Sequence, residues 1–254
     1  MKRKIELFMV LFLLIGAIVV SWKLSELTAN VSKETKGNKN KTVIVIDPGH
    51  GGEDPGKVGS NDVLEKDLNL QIAKKVIKRL KKQGITIVTT REDDNVPTAK
   101  KKDLEERIQL INDTNPKLTV CIHQNSFPEP SVRGAQVFYY TPDETAKEVA
   151  GIVQEELRTV DPENQRQTKA NDTYYMLKYT NVPTIIVECG FLTNPEEAEK
   201  LTSEEYQNQL ADAICAGIIK WLEKASWEMC TRPSLPGSTS TNAPKSVIRT
   251  TLPM

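Results

Sequence analysis

Apolar runs rich in β-branched residues recur along this chain, at Val43 to Ile46, Ile85 to Thr89, Leu118 to Ile122 and Thr184 to Cys189, and helical periodicity fills the intervals between them. A strand that is apolar on both of its alternating faces has to be covered on both, which is the condition of an α/β sheet. Between the first two runs, Leu68, Ile72, Val76 and Leu80 recur every four residues, with Lys74, Lys75, Lys78, Lys81 and Lys82 on the other face. That spacing predicts an amphipathic helix, closed by Gly84. Leu104, Ile108 and Ile111 predict a second helix, stopping before Pro116. Gln136 to Tyr140 reads as a further strand, Thr145 to Val160 as a helix, and 161–172 as a polar loop. Asn194 is placed to cap a short helix beginning at Pro195, and Ser203 opens a final helix running to about Trp221. Strands alternating with helices predict one α/β domain over 42–224, with a central mixed, mostly parallel sheet flanked by helices.

The 254 residues suffice for one such domain with appendages. Lys2, Arg3 and Lys4 at the N-terminus form a basic cytoplasmic end, 1–6. They precede an apolar run from Leu7 to Trp22, short against the roughly 20 residues of a spanning helix. No small-residue cleavage site follows, so 7–24 is read as an uncleaved signal-anchor that places the body of the chain outside the cytoplasm. Residues 25–41 are Lys/Asn-rich and suit a solvated linker. Residues 225–254 are rich in Ser, Thr and Pro without apolar period and are read as a disordered tail. Lys plus Arg and Asp plus Glu both number 34, so no global field points to nucleic acid. The cysteines, Cys121, Cys189, Cys215 and Cys230, read as buried small hydrophobes and not as a disulfide framework.

Sites of open α/β sheets lie in the loops at strand ends. Both histidines of the chain fall there, His50 after the first strand and His123 at the end of the third, and Glu188 ends the last. Glu65, just before the lysine-rich helix, can swing back over the sheet edge. Two imidazoles and one carboxylate are a zinc set that leaves a fourth position for water, the arrangement of a hydrolytic site. A second carboxylate must then take the water's proton and pass it to the leaving amine, and Glu188 fits that role. Asp47 has two readings: an acceptor that orients His50, or an Asx-turn before Pro48. Cys121, two residues before His123, shares its strand face. GGEDPGKV approaches the phosphate-loop pattern, but Val58 stands where a hydroxyl is required, and a dinucleotide fingerprint fails at Asp54. The cues H-E-x-x-H, G-x-S-x-G and C-x-x-C do not occur.

The blocks IDPGHGGEDPG, LEKDLNL, CIHQNS, GAQVFYY and VPTIIVECGFLTNPEEAEKL, in that order over residues 42–224, closely resemble the zinc-dependent N-acetylmuramoyl-L-alanine amidases of bacterial cell walls. The resemblance implies one zinc ion held by His50, Glu65 and His123, with Glu188 as the catalytic glutamate. It implies hydrolysis of the amide between N-acetylmuramic acid and L-alanine in peptidoglycan. The short anchored layout and NDTYYMLKYTNVP are most similar to the sporulation-type branch, which strips spore-cortex stem peptides so that a muramic acid deacetylase can complete muramic-δ-lactam, a mark read at germination. Cys121 replaces the family's usual serine and Gln124 its usual small residue. No wall-binding repeat or site-plugging helix is recognised, so control is expected from expression, localisation or an activating or adaptor protein. Two rival readings stand beside this one: a wall-binding scaffold without catalysis, and a zinc carboxypeptidase or aminopeptidase in which Arg91 reads a terminal carboxylate.

Overall fold

The computed structural model describes residues 42–97 and 99–231. A six-stranded sheet in the order β2-β1-β3-β6-β4-β5 organises them. β1 (Val43–Pro48) pairs in parallel with β2 (Thr86–Thr89) and with β3 (Leu118–Asn125), and β3 pairs in parallel with β6 (Thr184–Phe191). β4 (Gln136–Tyr139) runs antiparallel to β6 and parallel to the two-residue β5 (Lys169–Ala170). The expected mixed, mostly parallel sheet is therefore observed in a single α/β domain.

Each buried strand alternates between two cores, as its apolar run requires. Ile44, Ile46, Val120, Ile122, Ile185 and Val187 pack on one face with α1 (Glu65–Lys82), α3 (Glu144–Val160) and α6 (Glu204–Thr231). Val45, Cys121 and Ile186 point the other way, toward Ile111 of α2 (Lys100–Thr114) and Met176 and Leu177 of α4 (Tyr175–Tyr179). Along α1, Leu68, Ile72, Val76 and Leu80 are each at most 1% exposed. At about 1.5–3 kcal/mol for each large aliphatic side chain, this stripe is a main term fastening α1 to the sheet. Gly84, at φ 76°, ends that helix by turning the chain in the left-handed region, as expected.

Asn194 and Pro195 open α5 (Pro195–Thr202), the Asn194 side chain accepting the Glu197 N–H at 3.0 Å. Ser203 Oγ accepts the Tyr206 N–H at 3.2 Å and opens α6. Two local expectations change, and one element is added. β5 forms within 161–172, which reads as a loop, because two residues give no period to detect, and the five-residue α4 lies beyond that loop in a stretch to which no element is assigned. The tail boundary at 225 moves outward, since α6 continues to Thr231. The basic end, anchor and linker (1–41) and the rest of the tail lie outside the described residues, among which no helix is long and apolar enough to cross a membrane.

The strand order positions the site. From β1 the chain goes to β2 on one side and then to β3 on the other, with α1 and α2 on opposite faces. The C-terminal ends of β1 and β3 therefore border the crevice of a topological switch point. β6 lies next to β3 in parallel, so residues more than 130 positions apart in sequence end at one edge.

Candidate metal centre

β1 ends in the turn 48–52, which carries His50 in the left-handed region at φ 60°, a conformation that costs a non-glycine residue energy. Two arginines fix it. Arg107 donates to the Pro48 carbonyl at 2.7 Å and the His50 carbonyl at 2.7 Å, and Arg91 to the Pro48 and Gly49 carbonyls at 2.9 and 3.1 Å. Arg91 also donates to the carbonyls of Lys66 and Asp93, so it ties the loops together from within. A guanidinium only 5% exposed and occupied by carbonyls is not available to a substrate carboxylate, which removes the feature that favoured a carboxypeptidase.

His50 Nε2 and His123 Nδ1 converge on Glu65 Oε1, at 3.2 and 3.0 Å. The ligand atoms these three residues offer all lie within 4.8 Å of one another, so the group can hold a metal ion. Glu65 is fixed from its other sides: Oε2 accepts the Lys57 N–H at 2.8 Å, and Oε1 accepts from the Gln124 N–H at 3.1 Å and from Asn69 Nδ2 at 3.3 Å. Burial opposes its ionisation, but His123 and His50 outweigh it and hold the carboxyl well below the usual range. His50 Nδ1 lies 2.8 Å from Asp54 Oδ2, a contact that favours a proton on Nδ1 and so makes Nε2 the atom His50 would offer a metal ion. Asp54 is itself held down to about 2: burial works against this, and His50, Lys100 and the Gly56 N–H prevail.

Space for the cluster depends on two glycines. A Cβ on Gly49 would lie 2.1 Å from His123 Cε1, and one on Gly56 would lie 2.6 Å from Glu65 Oε2. The His50 and His123 rings, T-shaped with centroids 5.0 Å apart, fill what those side chains would have taken.

Glu188 stands opposite His123 in the β3/β6 register. It is 6% exposed, and its Oε2 is fully buried with no hydrogen-bond partner. Burial pushes its pKa up to about 7, with Glu65 adding to the rise and His123 and His50 opposing it. The four residues singled out in the sequence are thus brought to one edge, three of them in mutual contact and Glu188 beside them.

Neither reading of Asp47 describes what it does. Its Oδ1 accepts from Arg107 at 2.8 Å and Thr90 Oγ1 at 2.5 Å, and the acceptor for His50 is Asp54. Asp54, Asn69 and Arg107 do not stand out in the sequence. The one available signal is the four-residue offset from His50 to Asp54 across a glycine turn. Cys121 is buried and free, and burial raises its pKa far above the usual thiol value, so it contributes packing beside Asp47. Cys189 and Cys215 are likewise buried and free.

The sequence profile of the N-acetylmuramoyl-L-alanine amidase family matches residues 44–220. The germination-specific N-acetylmuramoyl-L-alanine amidase of Bacillus subtilis is 36% identical over 188 residues, 70% of this chain and 79% of that protein. Among solved structures, the CwlD amidase of Clostridioides difficile, in complex with the GerS lipoprotein, superposes with a TM-score of 0.70 at 37% identity, covering 72% of this chain and all of that one. An N-acetylmuramoyl-L-alanine amidase of Clostridium difficile 630 gives 0.68 at 36%, over 73% of this chain and 98% of that one. With the profile covering well over half its length, the chain belongs to the N-acetylmuramoyl-L-alanine amidase family of peptidoglycan hydrolases.

Proposed function

We propose that this amidase is zinc-dependent, that His50, Glu65 and His123 hold the ion, and that Glu188 is its proton shuttle. The observation that carries the reading is the convergence of two imidazole nitrogens and a carboxylate oxygen beside a buried carboxylate with an unpartnered oxygen. Two nitrogen donors and one oxygen suit zinc better than a hard cation that prefers oxygen alone. Bound there, zinc supplies Lewis acidity, which lowers the pKa of water and polarises an amide carbonyl. The protein supplies the rest. Asp54 and the arginine-clamped turn orient His50, and the amide donors around Glu65 fix its carboxylate. Glu188 takes a proton from the attacking water and delivers it to the alanine nitrogen as the bond to the lactyl carbonyl breaks. A carboxyl poised near neutrality can do both.

The likeness to the germination-specific amidase supports placing this activity outside the cytoplasm, at the forespore or spore envelope, held there by the N-terminal signal-anchor. Its product would be the stem-free muramic acid that a deacetylase converts to muramic-δ-lactam. The GerS complex of the structural relative supports an adaptor protein as partner. The test is to measure zinc in the purified protein by mass spectrometry, together with new L-alanine amino termini released from peptidoglycan, and then to ask whether the chain restores muramic-δ-lactam in a sporulating strain lacking its own cortex amidase. Amino termini appearing equally in the chelated protein would overturn the zinc assignment. Normal hydrolysis without lactam in the complemented strain would overturn the cortex role.

A further inference from the structure

A groove enclosing about 470 Å³ opens beside the metal cluster, between the loop 57–60 and the loop that follows β3. One end is at Lys57, whose backbone N–H holds Glu65 Oε2 at 2.8 Å, so the groove lies one hydrogen bond from the cluster. Two large apolar side chains are left in solvent there, Phe127 at 51% and Val58 at 47% exposure, with Pro128 and Pro130 beside them. Exposed apolar surface of this kind, next to a reaction centre, marks a binding surface more often than an accident of packing.

The shelf is rigid. The Phe127 N–H donates to Thr193 Oγ1 at 3.0 Å, the Ser126 N–H to Asn125 Oδ1 at 2.8 Å, and the Ser60 N–H to the Leu192 carbonyl at 3.0 Å. Its rim is hydroxyl-bearing, from Ser60, Ser126 and Thr193, and Lys57 is its one ionisable residue. The β4–β5 side of Glu188 differs. Gln136 pairs with Glu188 in the sheet, Arg166 donates to Gln136 Oε1 at 3.3 Å, and Lys169 is exposed on β5. That flank offers positive charge, which suits a peptide and its carboxylates, whereas a flat aromatic face with hydroxyl neighbours suits the C–H face of an uncharged pyranose.

We propose that Phe127 and Val58 form a subsite for the glycan strand, on which a sugar ring beyond the reacting muramic acid stacks, so that the enzyme prefers longer strands. This rests on the amidase reading above and adds to it which flank takes the polymer.

The experiment compares kcat/KM of the purified enzyme on a disaccharide-peptide with that on glycan strands of six or more sugars carrying the same peptide. A parallel titration follows binding of strands already stripped of peptide. The wild type is expected to favour the long strand. Phe127→Ala is expected to lower the long-to-short ratio about fivefold, through KM, and to weaken binding of the stripped strand, whereas Phe127→Tyr restores both. A ratio unchanged in Phe127→Ala, or a variant that discriminates instead by peptide length, overturns the glycan subsite. Absence of cleavage of every substrate by the wild type would be a failure of the amidase reading itself. Binding of stripped strands would still report on the shelf.

Discussion

Two buried charge clusters lie side by side at the end of β1, and they are finished differently. In the first, Arg107 bridges Asp47 at 2.8 Å and Asp103 at 2.9 Å, while Thr90 and the Pro48 and His50 carbonyls take up the remaining donors and acceptors. None of its side-chain atoms is left buried without a partner. In the second, two histidines and Glu65 crowd one oxygen, and Glu188 keeps an unpartnered one. Burying a polar atom without a partner costs about 1–3 kcal/mol, so the contrast separates a network built for rigidity from one built to receive something.

Glu188→Gln puts that contrast under the greatest strain. Losing the proton carrier is expected to lower turnover by roughly 10²- to 10⁴-fold while metal content stays at the wild-type level. Turnover within a few-fold of wild type would show that the unpartnered oxygen has no part in the chemistry. Next in size is Arg107→Ala, which strands Asp47 and releases two carbonyls of the His50 turn. Removing one partner of a buried pair costs about 3–5 kcal/mol, which denaturant unfolding would report, and metal affinity should fall with it.

Asp47 of the first cluster and Glu188 beside the second should also respond to pH with opposite sign in chelated protein. Burial opposes ionisation of Asp47, but Arg107 and Thr90 hold its pKa below the ordinary 3.8. The stability it contributes is therefore present above about 4 and is lost as the pH falls through its folded value. Glu188 is raised from 4.5 to about 7, so the unfolded state sheds its proton first and stability falls as the pH rises across that interval. The loss is on the order of a few kcal/mol. Glu188→Gln should flatten the upper limb and leave the lower one; parallel slopes in the variant and the wild type would remove the distinction between the clusters. The smallest expected effect is from Asp54→Asn, which leaves all three proposed ligands in place and weakens the hold on His50 Nδ1. Metal affinity should drop about 10- to 100-fold, as competition with a chelating dye would measure.

Legibility in the sequence follows the same division. The strands are legible because a run such as Val43 to Ile46 is apolar at every position, and the histidines because they sit where such runs stop. Arg107 is not: it stands three residues after Leu104 and four before Ile111, on the apolar face of its helix, but that position does not say which carboxylate it meets. Its partner Asp47 is 60 positions away. The same holds for β5, which exists only because Lys169 and Ala170 meet Phe138 and Tyr139. Asp54 escapes notice because a glycine-rich turn gives no period from which to infer which way a side chain faces. Residue types at strand ends reveal the donors, but the groups that hold them are chosen by tertiary contact.

Gly49 gives the candidate metal centre a vulnerability outside its own chemistry. It contributes no side chain, yet the smallest one added there would overlap the His123 imidazole at 2.1 Å. A descendant of this sequence could keep His50, Glu65, His123 and Glu188 and still lose their convergence through one exchange at position 49. Counting ligands alone would then mistake a dead relative for a living one, because an empty space is inherited along with them.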